Sequence, residues 1–124
     1  MAEASSVLVY GAYGLTGRFV VTEMVRRGLT PVLGGRSAAR LVALADLHPD
    51  LHVRLADAAD PESLDRALVG VDAVINCAGP FLDTAVPVVE AALRAQVPYL
   101  DIAAEQPRRS RSSRTSMRAP ARWG

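Results

Sequence analysis

The sequence contains no lysine, a single cysteine and few aromatic residues. All fourteen basic residues are arginine, and Cys77 has no second cysteine with which to form an intrachain disulfide. This cysteine usage is typical of reduced compartments, and the first residues show no basic and apolar leader pattern, so we expect a cytoplasmic protein. No apolar run approaches the ~20 residues that span a bilayer, so the sequence predicts no membrane span.

The charged residues are unevenly distributed along the chain. Thirteen acidic residues and eight arginines lie at or before Pro107, whereas six arginines and no acidic residue follow it. An acidic body argues against nucleic acid as a partner, because nucleic-acid-binding domains carry basic patches. Binding of the basic tail to nucleic acid or acidic lipid is the less favoured alternative.

Composition divides the chain into a lead at residues 1–5, a folded domain at 6–106 and a basic tail at 107–124. The tail has no apolar periodicity and no acidic residue, which predicts disorder. Its Arg, Ser, Ala and Pro content is also what a GC-rich gene gives when it is read out of frame, and we favour that explanation.

Within the folded domain, short apolar strand patterns alternate with amphipathic helix patterns. The predicted strands are 7–10, 31–33, 52–55, 73–76 and 99–102. One apolar helix face follows the first strand and consists of Leu15, Phe19, Val20 and Met24. Ser37 and Asp60 are predicted helix caps, Gly28 and Gly70 are predicted helix stops, and the last helix is predicted at 84–94. This alternation predicts an α/β fold: a Rossmann-type, doubly wound parallel sheet of about five strands in the order 3-2-1-4-5.

Three glycines separate the first strand from the helix that follows it. Gly11 permits a sharp turn, Gly14 allows the backbone to approach a pyrophosphate, and Gly17 lets the helix lie close to the sheet. The helix N-terminus offers free N–H donors to phosphate oxygens. The GxxGxxG spacing in this strand–loop–helix context predicts a dinucleotide site rather than a plain βα turn.

The end of the second strand distinguishes NADP from NAD. NAD sites place an acidic residue there to bind the ribose 2′-hydroxyl, but this chain has Gly35, Arg36 and Ser37, with Arg40 one turn further on. The Arg36 guanidinium can bind a 2′-phosphate in a bidentate manner, and Ser37 can donate from its hydroxyl or its amide. The alternative is that Arg36 is a solvated surface residue. We favour NADP as the cofactor.

Two further segments are predicted to face the same crevice. Asp57 follows the third strand, where it is either an acceptor for the adenine amino group or an ordinary loop aspartate. After the fourth strand come small residues that would let the ribose and nicotinamide lie against backbone: Cys77, Ala78, Gly79 and Pro80. We interpret Cys77 as a small buried residue rather than a nucleophile, because no His or Lys lies near it in sequence.

No metal site is predicted. His48 and His52 lie four residues apart without the cysteine or HExxH context of a zinc site.

Four segments, VLVYGAYGLTGR, GGRS, VINCAGPF and VPYLDIAAE, together resemble the NADP-binding domain of the saccharopine dehydrogenase-like reductases, a family that includes trans-acting enoyl reductases. The resemblance covers residues 6–106. It implies NADP(H) binding through the following residues: Gly11, Tyr13, Gly14, Leu15, Thr16, Gly17, Arg36, Ser37 and 77–80. It also implies hydride transfer at the nicotinamide, near the ends of the fourth and fifth strands.

The resemblance has two departures. Ala104 stands where family members tend to have glycine, and members continue into a substrate-binding and dimerising domain that this chain lacks. We therefore expect cofactor binding, with catalysis by these residues alone in doubt. The substrate is an unidentified small molecule, and the catalytic residues are unknown; Tyr99 and Asp101 are candidates by position only.

Other interpretations remain. A non-catalytic NADP-sensing module is the alternative function, and a misfolded remnant with an exposed sheet edge is a third. Such an edge would also allow a homodimer. Short-chain dehydrogenases share the GxxGxxG spacing, but their Tyr-x-x-x-Lys pair is excluded because the chain has no lysine.

Overall fold

A computed structural model describes residues 6–79 and 81–101. In chain order the elements are β1 Ser6–Tyr10, α1 Leu15–Arg26, β2 Thr30–Gly35, α2 Ala38–Ala45, β3 Val53–Leu55, α3 Pro61–Ala67, β4 Ala73–Asn76, α4 Phe81–Ala95 and β5 Tyr99–Asp101. The predicted basic tail, Pro80 and Ala104 lie outside the described residues.

The five strands form one parallel sheet in the order β3-β2-β1-β4-β5. The predicted Rossmann-type fold is therefore confirmed. Tyr10, at the end of β1, lies opposite Gly34 of β2 on one side and Asn76 of β4 on the other. Because all strands run in one direction, their carboxyl ends meet at a single edge of the sheet.

Helices cover both faces of the sheet, which explains why β1 is a continuous apolar run. Leu8 packs into a cluster with residues of α3 and α4, whereas Val9 packs into a second cluster with residues of α1 and α2. Both side chains are at most 1% exposed. Consecutive residues of β1 thus point to opposite faces, and each face finds its own apolar layer.

The predicted apolar face of α1 is wrong in part. Leu15 and Phe19 are 81% and 69% exposed, whereas the buried residues of the helix are Gly17, Val21 and Met24. The helix faces the sheet at Gly17 because a residue without a side chain allows its backbone to come closest there. Val21 and Met24, four and seven residues after Gly17, lie on the same side of the helix as Gly17, and this side is the buried one.

The helix ends agree with the sequence in most places. The Arg40 amide donates to Ser37 Oγ at 3.2 Å, so Ser37 caps α2 as predicted. Gly28 and Gly70 have φ angles of 82° and 78°, as expected of helix stops. Asp60 occupies the N-cap position of α3, but its side chain makes no capping hydrogen bond. The last helix begins at Phe81, three residues earlier than predicted.

Candidate functional site

An open crevice of about 490 Å³ lies at the carboxyl edge of the sheet. It is lined by Tyr10, Gly11, Tyr13, Gly14, Gly35, Arg36, Arg40, 57–59, 77–79, Asp83, Thr84 and Pro87. The crevice lies where the chain leaves β1 and β4 toward helices on opposite faces of the sheet. In open α/β sheets this switch point is the usual place for a ligand.

The loop between β1 and α1 is held by contacts that only glycine permits. Gly11 has φ +83°, and a Cβ atom there would lie 2.6 Å from the backbone of Ala78. Its amide donates to Gly34 O at 2.8 Å, which ties the loop to β2. A Cβ atom at Gly17 would lie 2.8 Å from the Cα of Ala12, so α1 starts directly against the loop.

Gly14 differs from the other two glycines of the loop. A Cβ atom there would meet only Gly11 O, at an ordinary contact distance of 3.6 Å, and its φ of −72° suits any residue. Protein packing therefore does not require glycine at this position. What glycine provides is open space beside the N-terminus of α1, where the first amides have no partner within the helix. An anion fits both features.

Two guanidinium groups lie near the end of β2, one on Arg36 directly after the strand and one on Arg40 of α2. Arg36 and Arg40 both line the crevice, and neither forms an ion pair with a carboxylate among residues 6–79 and 81–101. In contrast, Glu23 and Asp65 neutralise arginines elsewhere on the surface. The crevice thus has one cationic end whose charges are available to a ligand.

Another part of the crevice lining consists of Tyr10, at the end of β1, and Asp57, which follows β3. Tyr10 Oη accepts a hydrogen bond from the Ala58 amide at 2.9 Å, and burial raises the pKa of this phenol above its usual value. Asp57 Oδ1 accepts from the Ala59 amide at 2.9 Å. This local turn uses one carboxylate oxygen of Asp57. The second oxygen can accept from an amino group, as the adenine interpretation requires.

Buried polar side chains hold the loop after β4. Asn76 Oδ1 accepts from the Ala78 amide, while Asn76 Nδ2 donates to Thr84 Oγ1, each at 3.0 Å. Thr84 Oγ1 in turn donates to Ala78 O at 3.0 Å. Both backbone polar groups of Ala78 are therefore fixed, directly beneath the tight turn at Gly11.

The same network extends to β5. Asn76 Nδ2 also donates to Tyr99 Oη, and Tyr99 donates to Asp101 Oδ2 at 3.0 Å. Burial raises the pKa of Tyr99 well above the usual tyrosine value, so the phenol is protonated at neutral pH. The two residues that the sequence marked as catalytic candidates are therefore in contact with each other and with the end of β4.

Cys77 is not a ready nucleophile. Burial raises the pKa of its thiol to about 12, so the reactive thiolate form is scarce at neutral pH. This agrees with the interpretation of Cys77 as a small residue in a packed position.

The structure brings most of the predicted site residues together. Gly11, Tyr13, Gly14, Arg36, Arg40, Asp57 and 77–79 line the crevice. Gly17 is buried beneath the loop, the exposed side chain of Leu15 does not line the crevice, and neither does Thr16. The Ser37 amide donates to Tyr13 Oη at 3.1 Å, so this donor is already engaged within the protein.

Several lining residues were missed by sequence reasoning. Tyr10 was assigned only to the strand, Thr84 and Pro87 only to the last helix, and Asp83 to no element. No local pattern marks them, because they reach the crevice only through the early start of α4 and the order of the strands. Within the described residues no cluster of His, Cys, Asp and Glu could hold a metal ion, and no helix is long and apolar enough to cross a membrane.

The parallel sheet, the glycine loop at the N-terminus of α1 and the cationic end of the crevice define a dinucleotide-binding Rossmann domain. Residues 7–121 match the family described as saccharopine dehydrogenase NADP binding domain. The chain belongs to this family, and NADP is the cofactor of the domain. The family resemblance drawn from the four sequence segments is therefore confirmed.

Two curated relatives are similar to this chain in sequence. A probable mitochondrial saccharopine dehydrogenase-like oxidoreductase from Arabidopsis thaliana is 34% identical over 114 residues, which cover 80% of this chain and 25% of the relative. A trans-acting enoyl reductase from Mycobacterium tuberculosis is 30% identical over 105 residues, with the same coverage of both chains. The chain thus spans about a quarter of the length of these relatives.

Solved structures share the fold. The triphenylmethane reductase of Citrobacter sp., determined with NADP(H), superposes with a TM-score of 0.72 at 24% identity over 93% of this chain and 46% of the other. A nucleoside-diphosphate-sugar epimerase from Pseudomonas aeruginosa gives a TM-score of 0.68 at 31% identity, covering 80% and 33%.

Proposed function

We propose that this chain is the NADP(H)-binding part of a saccharopine dehydrogenase-like oxidoreductase and that residues 1–124 alone bind the cofactor without turnover. The observation that carries the proposal is the pair Arg36 and Arg40, which line the crevice without a carboxylate partner in the described structure. Two positive charges beside the acid-free end of β2 suit the 2′-phosphate that distinguishes NADP from NAD.

The space in the crevice fits the rest of the cofactor. Gly14 leaves room at the N-terminus of α1 for the pyrophosphate, and a Cβ atom at Gly79 would have no neighbour within 4 Å. Asp57 offers an acceptor for the adenine amino group. When bound, NADPH supplies a hydride; the residues described here bind and orient it.

The proposal that residues 1–124 do not catalyse turnover rests on the groups near β4 and β5. Cys77 and Tyr99 both have raised pKa values and hold their protons at neutral pH, and the Tyr99 hydroxyl donates to Asp101. Neither is ready to accept a proton from a substrate at neutral pH. A non-catalytic NADP-sensing module would share these features and is the second candidate.

The assignment is tested by calorimetric titration of the chain with NADPH and with NADH. We expect NADPH to bind more tightly, and Arg36→Ala to weaken NADPH binding by about tenfold to a hundredfold, as for loss of charged hydrogen bonds, with little change for NADH. Arg66→Ala is the matched control, because Arg66 is exposed on α3 and does not line the crevice. Equal affinities of the unmutated chain for both cofactors would overturn the proposal.

Turnover is measured on the same samples. We expect NADPH absorbance to remain constant when small carbonyl or enoyl compounds are added. NADPH oxidation by the chain above the buffer rate would refute the proposal of binding without turnover and would also argue against a sensing module, while leaving the cofactor assignment intact.

A further inference from the structure

Tyr13 connects the two parts of the crevice that bind phosphate groups. It lies in the glycine loop, two residues after Gly11, yet its hydroxyl accepts a hydrogen bond from the Ser37 amide at 3.1 Å. Ser37 follows Arg36 in the two-residue connection from β2 to α2 and is the N-cap of α2. A single side chain thus joins the loop beneath the pyrophosphate site to the turn beside the 2′-phosphate site.

The tyrosine ring is closely packed at this junction. A Cβ atom at Gly35 would lie 2.6 Å from Cε2 of Tyr13, so Gly35 leaves the room that the ring occupies. The ring therefore lies flush against the end of β2, one residue before Arg36. This explains the second glycine of the Gly34–Gly35 pair, which the dinucleotide pattern alone does not require.

Arg40 also contacts the Tyr13 ring. Its guanidinium carbon is 5.8 Å from the centroid of the Tyr13 ring, within the range of a cation–π contact. Its backbone amide donates to Ser37 Oγ, and its side chain has no carboxylate partner in the described part of the chain. The ring thus contacts this guanidinium and can orient it.

We propose that Tyr13 is a specificity-determining residue for NADP over NAD, acting by holding Arg40 and the Ser37 turn where the 2′-phosphate binds. The inference rests on the proposed function. The Tyr13 hydroxyl accepts from the Ser37 amide, and a hydroxyl that accepts one hydrogen bond can also donate one, here to a phosphate oxygen. Tyr13 thus contributes to recognition of the 2′-phosphate, directly through its hydroxyl and indirectly through the contact of its ring with Arg40.

A merely structural role for Tyr13 makes a different prediction. If the ring only supported the glycine loop, its loss would weaken NADPH and NADH binding by the same factor. If Tyr13 recognises the 2′-phosphate, its loss should lower the affinity for NADPH more than the affinity for NADH. The informative quantity is therefore the ratio of the two dissociation constants rather than either alone.

The first experiment compares Tyr13→Phe and Tyr13→Leu in the full chain by calorimetry. Phenylalanine keeps the ring and removes the hydroxyl, and we expect the preference for NADPH to fall about fivefold, as for one hydrogen bond. Leucine removes the ring as well, and we expect a fall of about tenfold or more. Arg66→Ala is again the control: Arg66 is exposed on α3 and does not line the crevice, so its loss should leave the ratio unchanged.

A double-mutant cycle tests the contact with Arg40. If the ring orients the guanidinium, Tyr13→Leu and Arg40→Ala together should cost less NADPH affinity than the product of their separate effects. Adenosine 2′,5′-bisphosphate and adenosine 5′-monophosphate serve as smaller probes, since they differ only in the 2′-phosphate. The bisphosphate should show the same loss as NADPH.

The outcomes separate this inference from the assignment of the cofactor. An unmutated chain without preference for NADPH would overturn both. A preference that survives unchanged in Tyr13→Phe, with independent effects in the cycle, would overturn the role of Tyr13 alone. If Tyr13→Leu fails to fold, the Tyr13→Phe ratio still decides, because that variant keeps the packing against Gly35.

Discussion

The glycines of the β1–α1 loop serve two different purposes. Gly11 and Gly17 are required by the protein itself, since a Cβ atom at either would collide with backbone atoms. Gly14 faces no such obstacle. We propose that the space in front of it is where the pyrophosphate of the cofactor binds, in which case single substitutions can separate folding from binding.

We expect Gly14→Ala to abolish most NADPH binding while its free energy of unfolding stays within about 1 kcal/mol of the unmutated chain. The backbone at residue 14 suits alanine, and the remaining cost is that of a poorer N-cap. Urea unfolding and calorimetric titration measure the two effects. Retention of full NADPH affinity by this variant would contradict the placement of the pyrophosphate.

Gly17→Ala is the matched counterpart. Its new methyl group would meet the backbone of Ala12, which cannot move without disturbing Gly11, so we expect destabilisation of about 2 kcal/mol or more. The sequence could identify all three glycines from their spacing. It could not assign their different purposes, because these depend on neighbours brought close by the fold.

At the scale of elements, β4 and α4 are joined by a buried polar network rather than by apolar packing alone. Asn76 and Thr84 satisfy both backbone groups of Ala78 and so fix the floor of the crevice. This arrangement requires α4 to begin before Thr84. The start at Phe81 places Thr84 in the first turn of the helix, facing the end of β4.

Thr84→Val tests the network. Valine has the same shape but leaves Ala78 O and Asn76 Nδ2 without Thr84 Oγ1, and we expect a loss of about 1–3 kcal/mol in the free energy of unfolding together with weaker NADPH binding. Thr84→Ser, which keeps the hydroxyl, should retain more of both. A valine variant as stable as the serine variant would show that these hydrogen bonds contribute little.

The elements themselves were mostly predictable. Each of the five strands appears close to its predicted bounds, and α2 and α3 begin at their predicted N-caps, because local apolar periodicity and caps such as Ser37 determine them. Orientation about a helix axis was less predictable: Leu15 and Phe19 look like an inner face in sequence, but the close approach of Gly17 turns them outward. The bond from Ser37 to Tyr13 spans 24 residues, and no local pattern encodes it.

At the scale of the whole molecule, the sheet has two edges, β3 on one side and β5 on the other. The edge strand β3 has only three residues, of which Val53 and Leu55 are 37% and 56% exposed. The sequence suggested a homodimer through an edge exposed after the fifth strand; we propose instead that a second copy pairs along the β3 edge.

Light scattering over a range of concentrations should then show a dimer, and Leu55→Lys should shift it to monomer, because charged side chains oppose edge pairing. Val42→Lys is the control, since Val42 is also 56% exposed but lies on α2. An unmutated chain that stays monomeric at every concentration would refute the proposal.

The central place of β1 also has a consequence for the order of folding. Residues 6–55 contain β1, β2 and β3 and can pair as one half of the sheet, but the other side of β1 must wait for β4. Ser6 is hydrogen-bonded to Asp72, 66 residues later in the chain. During synthesis we therefore expect a half-formed sheet with one unpaired apolar strand, the kind of slow intermediate that aggregates unless it is protected.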